Sequence, residues 1–164
     1  LPAGNLRESK RGAKRADVII VTKCPNSISA LEQKKIIKKL NVTQDVFFSS
    51  IGYADNIVGT KNVVLEDIIS TEFTLVTGIA NPSPLIGYLK QKQLHFKHLA
   101  FKDHHNFTDK ELEDLSKKEL ILTTEKDYMR LKDKLSNVSY LPIITEFVSN
   151  KTAFDKKILS YVKK

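Results

Sequence analysis

The chain lacks the sequence features of disulfide-bonded, membrane-spanning and secreted proteins. Its 164 residues include one cysteine, Cys24, so an internal disulfide is impossible and a thiolate metal cluster is excluded, which fits a reducing compartment. No apolar run approaches the roughly 20 residues that span a bilayer, and residues 1–4 lack the basic-then-apolar order of a signal peptide. We therefore expect a soluble chain and, because Leu1 is not an initiator Met, one that starts within a longer protein.

Two glycine-rich phosphate loops are also missing. The chain has six glycines but no Gly-x-x-x-x-Gly-Lys-Ser/Thr and no Gly-x-Gly-x-x-Gly, so it carries no recognisable nucleotide-cradling loop. Tryptophan is absent, and no aromatic cluster accompanies the basic residues near the amino terminus. Because single-stranded nucleic acids stack on aromatic side chains, this composition argues against a nucleic-acid-binding module.

The positive charge lies near the amino terminus. The net charge is +8, and residues 1–40 hold 10 Lys and Arg against 3 Asp and Glu, whereas the rest of the chain is nearly balanced. This segment favours a phosphate-rich partner, such as an anionic lipid head group, a nucleotide or a nucleic acid, or else it is a solvated basic face. Five of its ten basic residues lie within the first 15 positions: Arg7, Lys10, Arg11, Lys14 and Arg15.

Apolar runs alternate with helical patterns along most of the chain. This order predicts an α/β fold with a mainly parallel sheet flanked by helices. Residues 44–65 have a different pattern, for which we expect two or three antiparallel strands or a linker ribbon. Residues 1–16 are expected to be irregular. Predicted strands are 17–23 and 73–79, both expected to be buried as in a parallel sheet, the first on both faces, and 94–101 and 120–124. Predicted helices begin at the capping boxes Ser29/Glu32, Thr108/Glu111 and Thr152/Asp155, near Asn81-Pro82, and at Glu125, whose helix extends to Leu135.

Polar clusters follow three of the predicted strands. They are Thr77-Gly78, Asp103-His104 and Thr124-Glu-Lys126. Because ligands bind outside the carboxyl ends of parallel strands, we expect these clusters to share one edge of the sheet and to form a site.

The triplet Asp103-His104-His105 allows three interpretations from its residues alone. It is an acid/base pair, a metal site, or a polar turn that caps the next helix. Adjacent side chains diverge, so at most one of the two histidines faces Asp103. A metal would need further ligands, and His95 and His98 point to opposite faces of their predicted strand.

Two neighbouring segments each allow two interpretations. Thr123-Thr-Glu-Lys-Asp127 places hydroxyls and a cation at a helix start, which suits an anion or ordinary N-capping by Thr124 with Asp127 completing a capping box. Gly78 admits a ligand close to the backbone or allows a tight strand exit.

Five motifs occur in series over residues 1 to about 135. They are Leu1-Pro-Ala-Gly-x-Leu-Arg-Glu8, the strand ending Val21-Thr-Lys23, Val76-Thr-Gly-Ile-Ala-x-Pro82, Phe101-x-Asp-His-His-x-Phe107 and Thr123-Thr-Glu-Lys-Asp127. Together they resemble the tetraacyldisaccharide 4′-kinase, or lipid A 4′-kinase, family. The resemblance implies a P-loop-kinase-related fold of two α/β domains joined by a β-ribbon hinge. The chain then divides into 1–43, a remnant of the nucleotide-binding domain; 44–70, the ribbon; and 71–164, the carboxyl-terminal α/β domain.

The resemblance also implies a reaction. Family members transfer the γ-phosphate of ATP to the 4′-hydroxyl of tetraacyldisaccharide 1-phosphate at the cytoplasmic face of the inner membrane. ATP and Mg²⁺ are held by motifs that precede Leu1 and are missing here, so we expect no tightly bound cofactor and an inactive isolated chain. The expected partners are the lipid disaccharide 1-phosphate, ATP and an anionic membrane surface, without nucleic acid.

By motif match, Asp103 and His104 are the catalytic pair and His105 is a structural neighbour. Arg7 and Glu8 bind substrate near the phosphates or the disaccharide, and no residue is assigned to a metal. One alternative is a metal-dependent phosphoesterase of the Asp-His-His type, which shares only that triplet and needs Asp-rich motifs that residues 1–100 lack. A basic nucleic-acid-binding module is the other.

Overall fold

A computed structural model describes residues 10–162, and the chain divides into two compact units. Of the described residues, those up to Gly52 and from Thr145 onward form the first unit, and Tyr53–Ile144 form the second. The strands are β1 Val18–Val21, β2 Asp45–Tyr53, β3 Val58–Gly59, β4 Phe73–Thr77, β5 Phe96–Ala100, β6 Ile121–Thr123, β7 Val138–Tyr140 and β8 Ile143–Phe147. The helices are α1 Ala30–Leu40, α2 Ser83–Gln91, α3 Asp109–Ser116, α4 Glu125–Leu131 and α5 Lys151–Val162, with 3₁₀ helices at Lys10–Arg15 and Leu65–Ile68.

The second unit is built on a five-stranded sheet in the order β3-β7-β6-β4-β5. Strands β5, β4, β6 and β7 are mutually parallel, and β3 is antiparallel to β7 at the edge. Every residue of β4 and β6 is buried, which agrees with the apolar runs predicted for central parallel strands. The predicted α/β class with a mainly parallel sheet is confirmed.

Both faces of this sheet are covered. Successive residues of a strand point to opposite faces, so Leu120 and Leu122 join one core cluster while Ile121 joins the other. The first cluster includes Leu85 and Leu89 of α2. The second cluster takes in Leu115 of α3 and Leu131 of α4, among others. These helices and the sheet form a three-layer unit whose strand ends have fixed positions.

The first unit has a smaller sheet in the order β1-β2-β8. Phe47 on β2 packs edge-on against Phe147 of β8 and Phe154 of α5, with ring centroids 6.4 and 5.2 Å away. Neither α1 nor α5 has a buried residue. Ile20 of β1 is 42% exposed and no residue of this strand is buried, so the prediction that it is buried on both faces is wrong here, because the described residues leave both of its faces partly uncovered.

Several local predictions need correction. Residues 45–53 do not form an antiparallel ribbon, because β2 pairs in parallel with β1, from Val18 opposite Asp45 to Val21 opposite Phe48. The 3₁₀ helix Lys10–Arg15 replaces an expected irregular segment. Helix α4 ends at Leu131, and α5 begins before its predicted cap, at Lys151.

The limits of the two units also differ from the predicted boundaries after residues 43 and 70. Long-range strand pairing is the physical reason: β2 belongs with β1, and β8 carries the chain back to β2, so residues 145–162 belong with the first unit.

Candidate active site

The carboxyl ends of three parallel strands bring the polar clusters of the second unit together. Gly78, which follows β4, donates its backbone N–H to Oδ2 of Asp127 at 2.8 Å. Lys126 at the start of α4 donates from Nζ to Oδ1 of Asp103, which follows β5, at 2.6 Å. The expected convergence at one edge of the sheet is therefore confirmed.

Asp103 is held by a charge-assisted hydrogen bond. The bond from Lys126 lowers the pKa of the Asp103 carboxyl below its ordinary value, so Asp103 is a carboxylate at neutral pH. Both side chains are 40% exposed. An exposed pair of this kind adds little stability because water and salt screen it, and its main consequence is the fixed direction of the carboxylate.

His104 has an unusual backbone. Its φ of 61° lies in the left-handed region, which costs a residue with a side chain about 1–2 kcal/mol. The side chain is 70% exposed, so packing does not repay this strain. Strained residues that packing does not require are concentrated at functional sites, which makes His104 the strongest candidate of the segment.

Two cations flank the His104 ring. Nζ of Lys126 lies 3.3 Å from Nε2, and Nη2 of Arg130 lies 2.9 Å from Nδ1. Oδ1 of Asp103 is 3.9 Å from Nε2, beyond hydrogen-bond length. We name Asp103, His104, Lys126 and Arg130 the edge cluster.

His105 faces away from the edge cluster. Its ring stacks on Phe101 at 4.8 Å and meets Phe107 edge-on at 5.2 Å. Nε2 lies 3.0 Å from Oε2 of Glu111, whose pKa is lowered to about 2 by the backbone N–H of Thr108 and by His105. The expectation that at most one histidine faces Asp103 is confirmed, and His105 anchors the turn.

Asp127 lies behind the edge cluster and is fully buried. Its Oδ2 accepts the Gly78 N–H and the Thr124 hydroxyl, each at 2.8 Å. Thr124 caps α4 as predicted by accepting the Asp127 N–H. The predicted capping box is nevertheless incomplete, because the short Asp127 side chain binds Gly78 rather than the Thr124 backbone, unlike Glu111, which reaches the N–H of Thr108.

Gly78 allows this close approach. A Cβ added there would lie 3.0 Å from Oδ1 of Asp127 and 3.5 Å from the Lys102 carbonyl oxygen. A contact of 3.0 Å is tighter than nine in ten real Cβ contacts, so Asp127 would have to move by a few tenths of an ångström. The glycine is therefore explained by packing against Asp127, which the sequence left open.

Arg130 is the residue that sequence reasoning missed. It follows Lys126 by four residues, and this spacing places two side chains on one face of a helix. Besides His104, it approaches Asp127, with Nη1 3.8 Å from Oδ1. The spacing of the two basic residues was the available signal. Arg7 and Glu8, the predicted substrate-binding residues, lie outside the described residues.

The described part of the chain has neither a metal-binding cluster nor a membrane-spanning helix. Within residues 10–162, no group of three or more His, Cys, Asp or Glu side chains is arranged to hold a metal ion. Over that range no helix is both long enough and apolar enough to cross a membrane.

Fold and site together define an α/β protein with a charged cluster at the carboxyl edge of its sheet, the edge where ligands of such sheets bind. The model of the family described as tetraacyldisaccharide-1-P 4′-kinase matches residues 1–163. The chain therefore belongs to this family. This family assignment takes precedence over the two alternative hypotheses, a metal-dependent phosphoesterase and a nucleic-acid-binding module.

Curated relatives support the assignment. Over 99% of this chain, it is 43% identical to a tetraacyldisaccharide 4′-kinase of Flavobacterium psychrophilum and 35% identical to one of Bacteroides thetaiotaomicron. The chain spans about half the length of these relatives, 50% in both. A solved structure titled as LpxK from Aquifex aeolicus in complex with ATP is similar in fold, with a TM-score of 0.62 and 22% identity over 98% of this chain and 47% of that one.

Proposed function

We propose that this chain is the part of a tetraacyldisaccharide 4′-kinase that brings Asp103 and His104 to the phosphoryl group in transfer. The donor would be ATP, and the acceptor the 4′-hydroxyl of tetraacyldisaccharide 1-phosphate. The observation that carries the proposal is the edge cluster, which places two cations around Asp103 and His104 within the residues that match the family.

The chemistry suits this arrangement. Phosphoryl transfer depends mainly on positioning the reactants and neutralising the charge on the transferred group. Lys126 and Arg130 supply positive charge at a defined edge, and Asp103 is ionised and held in one direction. We propose that Asp103 and His104 contact the reacting groups, with Asp103 orienting the acceptor hydroxyl.

The substrate would be bound in part by Arg7 and Glu8, near its phosphates or the disaccharide. Residues 1–40 carry most of the excess positive charge, which favours contact with an anionic lipid surface. We therefore place the intact enzyme at the cytoplasmic face of the inner membrane, as a peripheral protein without nucleic acid as a partner.

The nucleotide would be bound by residues outside the edge cluster. ATP needs a magnesium ion, which neutralises charge between its phosphates when bound. The edge cluster fits a phosphate better than this ion, because it offers two cations and an imidazole against one carboxylate that Lys126 already holds. We propose that residues 1–43 complete a nucleotide-binding domain and that this chain alone binds no cofactor tightly.

A chimera tests the proposal. The half of the Flavobacterium psychrophilum relative that this chain does not match is joined, in its natural order, to these 164 residues. We expect ATP-dependent 4′-phosphorylation of tetraacyldisaccharide 1-phosphate, measured with radiolabelled ATP, by the chimera and none by the 164 residues alone.

The unaltered relative is the positive control, and the chimera carrying His104→Ala is the matched variant. A folded chimera without activity, beside an active relative, would overturn the proposal. Phosphorylation by the 164 residues alone would overturn the division of roles.

A further inference from the structure

The contacts of the His104 ring conflict if all are read as hydrogen bonds. Protonated lysine and arginine are donors only, and a neutral imidazole has a single nitrogen able to accept. Arg130 lies 2.9 Å from Nδ1 and Lys126 lies 3.3 Å from Nε2. One of the two contacts is therefore not a hydrogen bond.

The geometry decides which contact is the hydrogen bond. Arginine stays charged in proteins, so a guanidinium at 2.9 Å requires an unprotonated Nδ1. Lys126 already has a stronger partner in Asp103 at 2.6 Å. The ring proton then lies on Nε2.

We infer that Arg130 fixes His104 as the Nε2–H tautomer, so that His104 acts as a hydrogen-bond donor rather than as the proton acceptor. Lys126 likewise holds the Asp103 carboxylate in one direction through its hydrogen bond. Lys126 and Arg130 are thus positioning residues, and their effect on catalysis rests on the proposed function. The tautomer itself rests on the contacts alone.

The support behind Arg130 strengthens the inference. Asp127 is fully buried and tied to Gly78 and Thr124, and its Oδ1 faces Nη1 of Arg130 at 3.8 Å. Arg130 therefore has one nitrogen near a buried carboxylate and another on His104. A lysine at this position has one nitrogen and could not make both contacts, so Arg130→Lys should rescue only in part.

The inferred tautomer also indicates the ligand. With a proton on Nε2, the Nε2–H and the Lys126 ammonium are two donors 3.3 Å apart. The carboxylate oxygen at 3.9 Å is too far to accept from Nε2. An anionic oxygen placed between them would accept from both, which fits an oxygen of a phosphoryl group.

Nitrogen NMR of the 164-residue chain tests the tautomer directly. The chain has four histidines, so ¹⁵N-histidine labelling gives few signals, and His104→Asn identifies the signal of interest. We expect a long-range ¹H–¹⁵N pattern with the proton on Nε2 and none on Nδ1. A proton on Nδ1, or on both nitrogens at neutral pH, would overturn the inference.

Variants separate a positioning role from a structural one. Arg130→Met should release His104 into a mixture of tautomers, whereas Lys126→Met should leave the tautomer unchanged. The matched control is Lys132→Met, which removes the same charge from an exposed lysine at the end of α4. An unchanged tautomer in Arg130→Met would contradict the role of Arg130.

Kinetics of the chimera complete the test. We expect Arg130→Met and Lys126→Met to lower kcat roughly 10- to 100-fold, with KM values within about twofold, since small misplacements of reacting groups cost rates of this order. An active chimera whose kcat survives both changes would refute the positioning role. An inactive unaltered chimera would refute the proposed function instead, and the NMR result would still decide the tautomer.

Discussion

The two histidines that follow β5 are neighbours in the chain, yet they occupy opposite kinds of surroundings. His105 is packed between Phe101 and Phe107 and joined to Glu111 of α3. His104 has a left-handed backbone, is 70% exposed, and contacts polar side chains of α4. A well-anchored residue thus allows its neighbour to keep a strained, accessible conformation.

The largest expected effect comes from replacing His104 with glycine. Glycine adopts a positive φ without strain, and the exposed imidazole contributes little packing, so His104→Gly should leave the unfolding free energy unchanged or about 1 kcal/mol higher. In the chimera, kcat should fall on the order of 100-fold, as when a transition-state donor is removed. Urea unfolding of the 164 residues and kinase assays of the chimera measure the two effects.

His105→Ala should show the reverse pattern, because it loses ring contacts worth about 0.5–1.5 kcal/mol each while the edge cluster keeps its members. Tyrosine near-UV circular dichroism is a suitable signal, since four of the five tyrosines lie in residues 53–144. Equal losses of stability in the two variants would contradict the contrast.

The next effect concerns Asp127, the buried residue behind the edge cluster. Asp127→Ala leaves the Gly78 N–H without its partner in a buried place, which should lower the unfolding free energy by roughly 1–3 kcal/mol. The matched control is Asp133→Ala at an exposed position just beyond α4, which should change it by less than about 0.5 kcal/mol. Equal urea midpoints for the two variants would show that Asp127 carries no such role.

The smallest effect is a pH dependence of the stability that Glu111, the partner of His105, contributes. The folded-state pKa of Glu111 is lowered to about 2 from an ordinary 4.5, so its contribution to stability is present above the ordinary value and is lost as pH falls towards 2. The stability gap between the unaltered chain and Glu111→Gln should therefore be widest above about pH 5 and narrow below it.

Urea unfolding at several pH values measures this gap. The same gap at every pH would mean that the hydrogen bonds from Thr108 and His105 do not favour the ionised carboxylate.

Local features of the fold were readable from the sequence. The capping boxes Ser29/Glu32 and Thr108/Glu111 form as predicted, because they join residues three apart through short hydrogen bonds. The buried strands β4 and β6 were also predicted, since continuous apolar runs suit strands covered on both faces. Parallel order then placed Gly78, Asp103 and Lys126 at one edge.

Pairings between distant segments were not readable. Strand β2 looked like part of a ribbon, and its sequence could not reveal that its partner is β1. Likewise, the hydrogen bond between Asp127 and Gly78 joins residues 49 positions apart in the chain. The contact between Arg130 and His104 joins residues 26 positions apart. Such choices follow from which side chains packing brings within hydrogen-bond length.

The family, the α/β class and the residue types at the edge of the sheet could be inferred from the sequence alone, because motifs, periodicity and capping are local properties. Which histidine faces Asp103, and the contact of Arg130 with Nδ1 of that ring, are evident only in the folded chain. The physical reason is that a hydrogen bond fixes a tautomer only when donor and acceptor meet at about 3 Å, and this distance is set by the packing of α4 against the sheet.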